Sequence, residues 1–575
     1  MYLTRYYNKE YLWIIVLCLA AFFLNNNALP TDIMESRNIV TAREMVQDGN
    51  WLVPTMNGEL RLEKPPLPTW IAAVIESIHP HALDAQRMAA GVMALVWVAY
   101  LYLIAKYISR RRDFARIAVV VFITCYNVIL MGRTATWDIY CHAFMMGGIY
   151  YLMRGLYDDR FFEHSHKWRW FVTSGVFMGL SFLSKGPVSF YALLLPAIIT
   201  AVIYQRPYMR GKWLPLFVMI LTTVIVGGWW YAYLYICHPE AIDAVIKKES
   251  GNWAGHNVRS WFYYWRYFTE TGVWTILSLA ALFIPYWRKH MKDWRGYLIA
   301  ITWVLASLVL LSLMPEKKTR YLLPMMAPCS LAVAFVLVYY MDTDAKHLDK
   351  IGKWIYWING YVLAAITVLL PILVHVISVH QGYLDVGTAF FIDALLIGIG
   401  VWLGICTKQF NAKGLLYGVA SLFFIAECFL IGIIGKSFTN PTGNSIHKLV
   451  RVEALKPVPY YYNQKEELRI ELVYETRKKI RPLDFNNEQE MLKAMPCLVI
   501  TRHSMKEELP ASLLQKIDTV KIGTFDDNRH PKSDRHYTDL FLNQATLLEV
   551  KGGKKIIIDP ETIKELEPQP IKKDE

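Results

Sequence analysis

The chain has 575 residues, of which 54% are hydrophobic and 19% are charged, and its formal net charge is +13. Its mean hydropathy is +0.25, and apolar runs of about 20 residues recur along most of its length, which excludes an ordinary soluble protein and indicates a polytopic helical membrane protein. Residues 444–575 carry 23 Lys+Arg and 22 Asp+Glu, so almost all of the positive excess lies before them. Because no basic domain stands apart from the apolar runs, a nucleic-acid partner is excluded.

Hydropathy predicts about thirteen transmembrane helices. The short loops on one side of this arrangement are basic, with runs such as Arg110-Arg111-Arg112, and the positive-inside rule makes that side cytoplasmic. The N-terminus is then cytoplasmic, and an odd number of spans places the C-terminal region on the outer side. The predicted segments are residues 11–29, 86–108, 115–131, 138–154, 168–184, 187–204, 213–236, 271–286, 296–314, 321–341, 354–379, 386–406 and 413–435.

After the last of these segments the chain changes character. Charged residues interrupt it often, and short β-branched runs predict strands with helical stretches between them. These runs are residues 468–474, 497–501, 520–522, 547–550 and 555–558. We therefore predict an all-α polytopic membrane domain over residues 1–435 and a small soluble α/β domain over residues 436–575.

The loop at residues 30–85 joins the first two predicted spans and is too densely charged to lie in hydrocarbon. Ile39, Ala42 and Met45 recur at helical spacing, which predicts a short amphipathic helix that ends at Gly49-Asn50. A second amphipathic stretch is predicted over residues 70–78. Asp32 stands directly before the first helix, so it is either a catalytic carboxylate or an N-cap.

Cations concentrate in the outer loops, where the positive-inside rule should deplete them. Arg and Lys bind phosphate through strong hydrogen bonds, so a membrane-embedded phosphate is the natural partner. Any single cation is equally consistent with a snorkelling or structurally paired side chain. The residues concerned are Lys64, Lys185, Arg259, Lys318 and Arg320.

Two further polar features have open interpretations. Asp138, at the mouth of the fourth predicted span, either serves the chemistry or caps its helix. Glu63 and His256 could share a metal ion, but an interfacial histidine is the simpler interpretation of His256.

Four motifs together resemble the GT-C membrane glycosyltransferases that use polyprenyl-phosphate sugars. They are most similar to the lipid A aminoarabinose transferases and their relatives, the protein O-mannosyltransferases. The resemblance covers roughly residues 1–435. The motifs are the acidic first outer loop PTDIMESR, the step Glu63-Lys64-Pro65-Pro66, Arg133…Asp138 with Leu183-Ser184-Lys185-Gly186-Pro187, and Lys318-Thr319-Arg320-Tyr321-Leu322-Leu323-Pro324.

The resemblance implies roles for individual residues. Asp32 matches the essential first-loop aspartate, and Glu35 and Asp138 are further catalytic candidates. The family often has adjacent Asp and Glu in this loop, whereas here Ile33 follows Asp32. Glu63 and His256 fall where the family can hold a divalent ion, Zn or Mg, although no cofactor is required. The implied phosphate ligands are Lys64, Arg259, Lys185, Lys318, Arg320 and Tyr321.

The expected function is an inverting glycosyl transfer from an undecaprenyl-phosphate sugar to a lipid A-type or other envelope acceptor, at the outer leaflet of a bacterial inner membrane. A protein O-glycosyltransferase, a transporter or flippase for polyprenyl-linked sugars, and a structural or sensor protein are the alternatives. A flippase should show inverted repeats or broken helices with charges near the middle of the membrane, and the sequence shows neither clearly.

Overall fold

The computed structural model describes residues 2–158, 164–255, 257–379, 382–437, 440, 443–530, 532 and 534–567. The described chain is mainly helical and divides into two compact units. The first comprises residues 1–28 and 62–433, and the second comprises residues 29–61 and 434–575.

The α-helices have the following bounds in chain order. They are α1 (Tyr2–Phe23), α2 (Ile33–Asp48), α3 (Leu67–Ile78), α4 (Leu83–Ser109), α5 (Arg112–Ile123), α6 (Tyr126–Gly132), α7 (Trp137–Tyr157), α8 (His164–Lys185), α9 (Leu195–Tyr204), α10 (Trp213–Cys237), α11 (Pro239–Gly255), α12 (Tyr267–Glu270), α13 (Thr275–Ala280), α14 (Ile284–His290), α15 (Trp294–Leu313), α16 (Met326–Asp342), α17 (Lys350–Val374), α18 (Val386–Lys408), α19 (Ala412–Ile425), α20 (Ile431–Ser437), α21 (Ile470–Thr476), α22 (Glu488–Ala494), α23 (Met505–Glu508), α24 (Ala511–Leu514) and α25 (Pro560–Leu566).

The first unit is a helical membrane domain. Among the described residues, seven helices are long and apolar enough to cross a membrane, or eight if α5 and α6, which meet at 70°, form one span. Every predicted apolar segment overlaps a helix, which confirms an all-α polytopic domain. The number of segments that cross the membrane, about thirteen, stays a prediction.

One predicted segment, residues 271–286, is not a continuous helix. A 3-10 turn at Gly272–Trp274 leads into the six-residue helix α13, and the chain turns again before α14. Pro285 lies in the first turn of α14, where its missing N–H leaves no helical bond unmade. Hydropathy reports only that these residues are apolar, and it does not detect the break.

The two helices predicted in the loop after α1 are present. Asp32 caps α2, and its Oδ1 accepts a hydrogen bond from the Glu35 backbone N–H at 2.7 Å. Gly49 ends α2 in the left-handed conformation, at φ 72°, which glycine adopts without steric penalty. The second predicted stretch is α3, which begins directly after Pro66.

The second unit is built on a five-stranded mixed sheet, which confirms the predicted α/β domain. Its strand order is β4-β3-β5-β7-β6, in which β3 is parallel to β4 and β5 while β7 is antiparallel to β5 and β6. The strands are β3 (Tyr460–Asn463), β4 (Ile480–Leu483), β5 (Cys497–Thr501), β6 (Ile517–Asp526) and β7 (Leu542–Val550), and β1 (Thr55–Met56) and β2 (Glu59–Leu60) form a separate hairpin.

Both faces of this sheet are covered. Alternate residues of β5 point to opposite sides, so Leu498 and Ile500 join one apolar cluster, and Cys497 and Val499 join the other. Helix α21 contributes to the first cluster and α22 to the second. Burial of apolar surface on both faces therefore holds the unit together.

Residues 29–61 belong to this second unit, whereas the sequence-based boundary at residue 435 grouped them with the membrane domain. Val40 of α2 lies in the first apolar cluster. Lys479 pairs with Asp48 at 2.6 Å, and Asn57 exchanges two hydrogen bonds with the backbone of Ile480, at 2.7 and 2.8 Å. Partners more than 400 positions apart leave no mark in the local pattern that set the boundary.

Asp527 of this unit carries a perturbed carboxyl group. Burial raises its pKa to about 6, against a smaller lowering by the hydrogen bond from the Ile446 backbone N–H and by the charge of Arg469. The Arg469 guanidinium is 4.0 Å from the carboxylate. Because the folded state then holds this proton more tightly than the unfolded state does, protonation of Asp527 stabilises the fold.

We predict that this stabilisation is complete below about pH 4 and is lost as the pH rises through about 6, with a total effect of at most about 3 kcal/mol. Asp527→Asn should remove this part of the pH dependence. Hydrogen exchange of the amides of residues 444–452 in the full-length protein, corrected for intrinsic rates between pH 4 and 7.5, measures it. Identical pH slopes in the wild type and the variant would contradict the assignment.

Candidate functional site

The site begins at a tight connection between two membrane helices. The sequence Lys185-Gly186-Pro187 ends α8, because Gly186 takes the left-handed conformation at φ 82° and its N–H donates to the Phe182 carbonyl at 2.7 Å. Glycine after the last helical residue, followed by proline, is a standard helix stop. Lys185 is therefore fixed as the final residue of α8.

Lys185 forms an ion pair with Asp138, in which its Nζ donates to Oδ1 of the carboxylate. Asp138 lies in the first turn of α7, where the helix dipole favours a negative charge. The two side chains are only 7% and 3% exposed. Removal of either partner would leave a buried charge uncompensated, which typically costs about 3–5 kcal/mol.

A second layer of contacts lies around Lys185 and involves the segment before α16. The Lys185 ammonium lies 5.3 Å from the centre of the Tyr321 ring, in cation–π range. The Tyr321 hydroxyl donates to Oε2 of Glu316 at 3.2 Å. Lys318 pairs with the other oxygen of Glu316, at 2.5 Å. This segment is therefore linked through Tyr321 to the ion pair.

The third element is the aromatic segment Trp261–Arg266. The Tyr264 hydroxyl accepts a hydrogen bond from the Lys318 N–H at 2.9 Å and donates to the Lys318 carbonyl at 3.3 Å. The Arg259 guanidinium lies 6.0 Å from the Tyr263 ring centre, and Tyr263 is hydrogen-bonded to Thr319 at 3.0 Å. Two residues of this aromatic segment, Tyr263 and Tyr264, therefore contact the segment that carries Lys318.

The electrostatics of this cluster favour an anion. Among the described residues, its cations include Lys185, Arg259, Lys318 and Arg320, whereas its carboxylates include Asp138 and Glu316. The Nε atom of Arg320 is buried and has no hydrogen-bond acceptor among the described residues. A buried guanidinium N–H without an acceptor is costly, and a phosphate oxygen is the acceptor that arginine geometry suits best.

The structure brings together most of the sequence-predicted phosphate ligands. Direct contacts connect Asp138, Lys185, Tyr321 and Lys318 through Glu316, and Arg259 joins through Tyr263 and Thr319.

Glu63, Lys64, Asp32 and Glu35 are the other predicted site residues that the structure describes. Glu63 and Lys64 are half-buried in the same unit. His256 lies outside the described residues. Asp32 and Glu35 belong to the second unit, where Asp32 is an N-cap and Glu35 is buried. The metal pair of Glu63 and His256 therefore stays a prediction.

Arg133 belongs to the fold and not to the cation cluster. Its guanidinium donates to the carbonyls of Ala20, Ala21 and Leu24, at 2.8, 2.7 and 2.6 Å, and pairs with Glu427. All of its donor nitrogens are thereby used at the C-terminal end of α1, where the carbonyls lack helical partners. These contacts give Arg133 a structural role.

Sequence reasoning missed three polar residues. Glu427 was hidden in an apolar run, and Ser189 in the next span after the hairpin. His142 is buried, and its Nδ1 lies 2.6 Å from the Ser189 hydroxyl. The available signal was spacing, because His142 follows Asp138 by four residues and so lies on the same face of α7.

Comparison with known proteins gives one consistent result. A sequence profile described as dolichyl-phosphate-mannose-protein mannosyltransferase matches residues 63–231. The structure of ArnT from Cupriavidus metallidurans bound to undecaprenyl phosphate aligns with a TM-score of 0.65 at 14% identity, covering 95% of this chain and 98% of that one. The chain has the ArnT fold. The predicted resemblance to GT-C glycosyltransferases of the aminoarabinose transferase type is confirmed.

Curated relatives agree with the fold. The chain is 23% identical over 424 residues to undecaprenyl phosphate-alpha-4-amino-4-deoxy-L-arabinose arabinosyl transferase 2 of Proteus mirabilis, covering 71% of this chain and 72% of that protein. It is 26% identical over 413 residues to the corresponding transferase of Shewanella sediminis, covering 67% and 69% of the two chains. The chain is thus a multi-pass membrane protein that is similar to these transferases.

We predict that Glu427→Gln destabilises the membrane unit by about 3–5 kcal/mol, because it leaves the Arg133 charge buried without a counter-charge. The measurement is the thermal unfolding midpoint in detergent, with the exposed Glu240→Gln as the matched control. Transfer activity per folded molecule should remain. An unchanged midpoint together with lost activity would instead assign Arg133 and Glu427 to substrate binding.

Proposed function

We propose that this chain is an inverting membrane glycosyltransferase that moves a sugar from a polyprenyl phosphate, such as undecaprenyl phosphate, to a lipid A-type or other envelope acceptor. The observation that carries the proposal is the cluster around the buried pair of Asp138 and Lys185. In the described part of the chain, cations outnumber carboxylates there and the Arg320 Nε has no acceptor. The relatives named for undecaprenyl-phosphate aminoarabinose transfer support the same donor class.

The cations act on the leaving group. During transfer an acceptor oxygen attacks the anomeric carbon while the bond from that carbon to the phosphate oxygen breaks, and the electron pair stays on the lipid phosphate. Lys185, Lys318, Arg320 and Arg259 stabilise the negative charge that builds there. Lys64 and the Tyr321 hydroxyl are further ligands of this phosphate.

The carboxylates act on the acceptor and on the cations. Asp32 orients the acceptor, and it is the general base if the acceptor is a hydroxyl. If the acceptor is a lipid A phosphate, the nucleophile is already ionised, and Asp32 positions it or stabilises the developing positive charge on the sugar. Asp138 holds the Lys185 ammonium in place, and Glu35 follows Asp32 on α2.

A divalent ion, Zn or Mg, is part of the proposal, with Glu63 and His256 as its ligands. One described half-buried carboxylate does not establish a metal site, so no step of the transfer is assigned to it. We place the protein in a bacterial inner membrane, with a cytoplasmic N-terminus and the soluble unit on the periplasmic side, because the basic loops then face the cytoplasm.

Transfer to protein is the second candidate function. The profile that matches residues 63–231 is described by protein mannosyl transfer, and this region contains Lys64, Asp138 and Lys185. The two acceptors require the same donor-phosphate chemistry, so the cation cluster supports both equally. The nature of the product distinguishes them.

We predict that Asp32→Asn retains the fold but lowers sugar transfer at least about 100-fold, the usual scale for loss of an acid–base group. Asn is as good an N-cap as Asp, so the bond to the Glu35 N–H at 2.7 Å can persist. Asp48→Asn at the other end of α2 is the matched control and should transfer normally. Transfer is measured with purified, folded protein, and a normal rate for Asp32→Asn would remove Asp32 from the chemistry.

Mass spectrometry of lipid A from cells with and without the gene tests the acceptor. We expect a mass increment of one sugar that disappears on deletion, returns with the wild-type chain and does not return with Asp32→Asn. If lipid A is unchanged while an envelope protein loses a sugar, the protein O-glycosyltransferase is correct.

A further inference from the structure

In the sheet of the soluble unit, the direction in which the chain adds strands reverses at β3. Strand β3 lies between β4 and β5, and both run parallel to it. The chain passes from β3 through α21 to β4 on one side, and then through α22 to β5 on the other side. In open α/β sheets such a reversal opens a crevice at the carboxyl ends of the two diverging strands, where ligands bind.

Three metal-type ligands meet at these carboxyl ends. Glu466 follows the end of β3 by three residues, His503 follows the end of β5 by two, and Glu508 is the last residue of α23. Their ligand atoms all lie within 4.8 Å of one another. Two carboxylates at this separation repel each other unless a positive charge lies between them.

The neighbouring side chains orient one ligand and leave the negative charge of the two carboxylates largely unbalanced. Asn463, the buried last residue of β3, donates its Nδ2 to Oε2 of Glu508 at 2.7 Å. Hydrogen bonds of this kind fix ligating carboxylates in metal sites. Arg502 lies 3.8 Å from Glu466, and both side chains are partly exposed, so this ion pair contributes little.

We propose that Glu466, His503 and Glu508 form a binding site for a divalent transition-metal ion, with Zn²⁺ as the reference ion, at the carboxyl ends of β3 and β5.

The donor set determines the class of ion. One imidazole nitrogen and two carboxylate oxygens suit zinc and its neighbours, whereas an all-oxygen set would favour Mg²⁺ or Ca²⁺. Tetrahedral zinc with bonds near 2.1 Å places its ligand atoms roughly 3.4 Å apart. The distances between the ligand atoms must therefore shorten by about 1 Å. A half-exposed glutamate and an exposed histidine can make this movement by changing rotamer. A fourth position stays open for water or an acceptor group.

A second cluster competes for the same ion. In the loop between β6 and β7, Nδ1 of His536 and Nδ1 of His530 lie 2.9 and 3.4 Å from the Asp534 carboxylate. This cluster lies in a surface loop and not at the carboxyl end of a parallel strand. It provides an internal comparison, as does the predicted pair of Glu63 and His256 in the membrane unit.

The test is Zn²⁺ titration of the purified, chelator-treated full-length protein by calorimetry, repeated with Co²⁺ by visible absorption. We expect His503→Ala and Glu508→Gln each to weaken binding of the Zn²⁺ equivalent assigned to this site at least about tenfold and to change the Co²⁺ spectrum. Glu467→Gln, an exposed carboxylate one residue from Glu466, is the matched control and should bind normally. The double variants His530→Ala/His536→Ala and Glu63→Gln/His256→Ala should retain this equivalent.

Three results would overturn the proposal. The first is no Zn²⁺ binding to the wild type below about 100 µM. The second is unchanged binding in the His503 and Glu508 variants, and the third is loss of the only equivalent in either double variant. The thermal midpoint of each variant without metal separates failed folding from failed binding. Zn²⁺ should raise this midpoint in the wild type and in Glu467→Gln but not in Glu508→Gln.

Discussion

The buried ion pair of Asp138 and Lys185 is the interaction on which the arrangement of the site depends. It joins the first turn of α7 to the last residue of α8, and the Tyr321 ring packs over the same ammonium. In a low-dielectric environment neither charge is tolerable alone, since desolvation of one ion costs several kcal/mol. The helix ends must therefore meet, and the segment that carries Lys318 and Arg320 is held beside them through Tyr321.

The cations of the membrane unit divide into two groups by their partners. Arg133 donates to the carbonyls of Ala20, Ala21 and Leu24 at the C-terminal end of α1 and pairs with Glu427. These bonds satisfy carbonyls that lack helical partners. Lys185 and Lys318 each have one carboxylate, and the buried Nε of Arg320 finds no acceptor in the described part of the chain. The cation that stabilises the fold and the candidate phosphate-binding cations are thus of the same residue types, and only their contacts distinguish them.

The sequence predicted what depends on local pattern. The helices α2 and α3, the stop at Gly186-Pro187 and the strands β5, β6 and β7 follow from periodicity and turn chemistry. The run 468–474, predicted as a strand, lies largely in helix α21 instead, and β3 and β4 coincide with none of the predicted runs. Prediction also failed where partners are distant in the chain. Glu427 and Arg133 are separated by 294 positions, so a single carboxylate in an apolar run gave no sign of its role. The break near α13 failed for another reason, because hydropathy measures composition and not helix continuity.

Residues 29–61 belong to the second unit, and their contacts with its core hold α2 in place. Asp32 caps α2, and α2 places Val40 in the apolar cluster on one face of the sheet. Arg43, one turn further along α2, donates to the carbonyls of Val473 and Tyr474 at 3.4 Å. The position of Asp32 is therefore set by the core of the α/β unit, since a short isolated helix would not be stable in water. Residues 434–575 therefore fix the position of Asp32 through the helix that it caps.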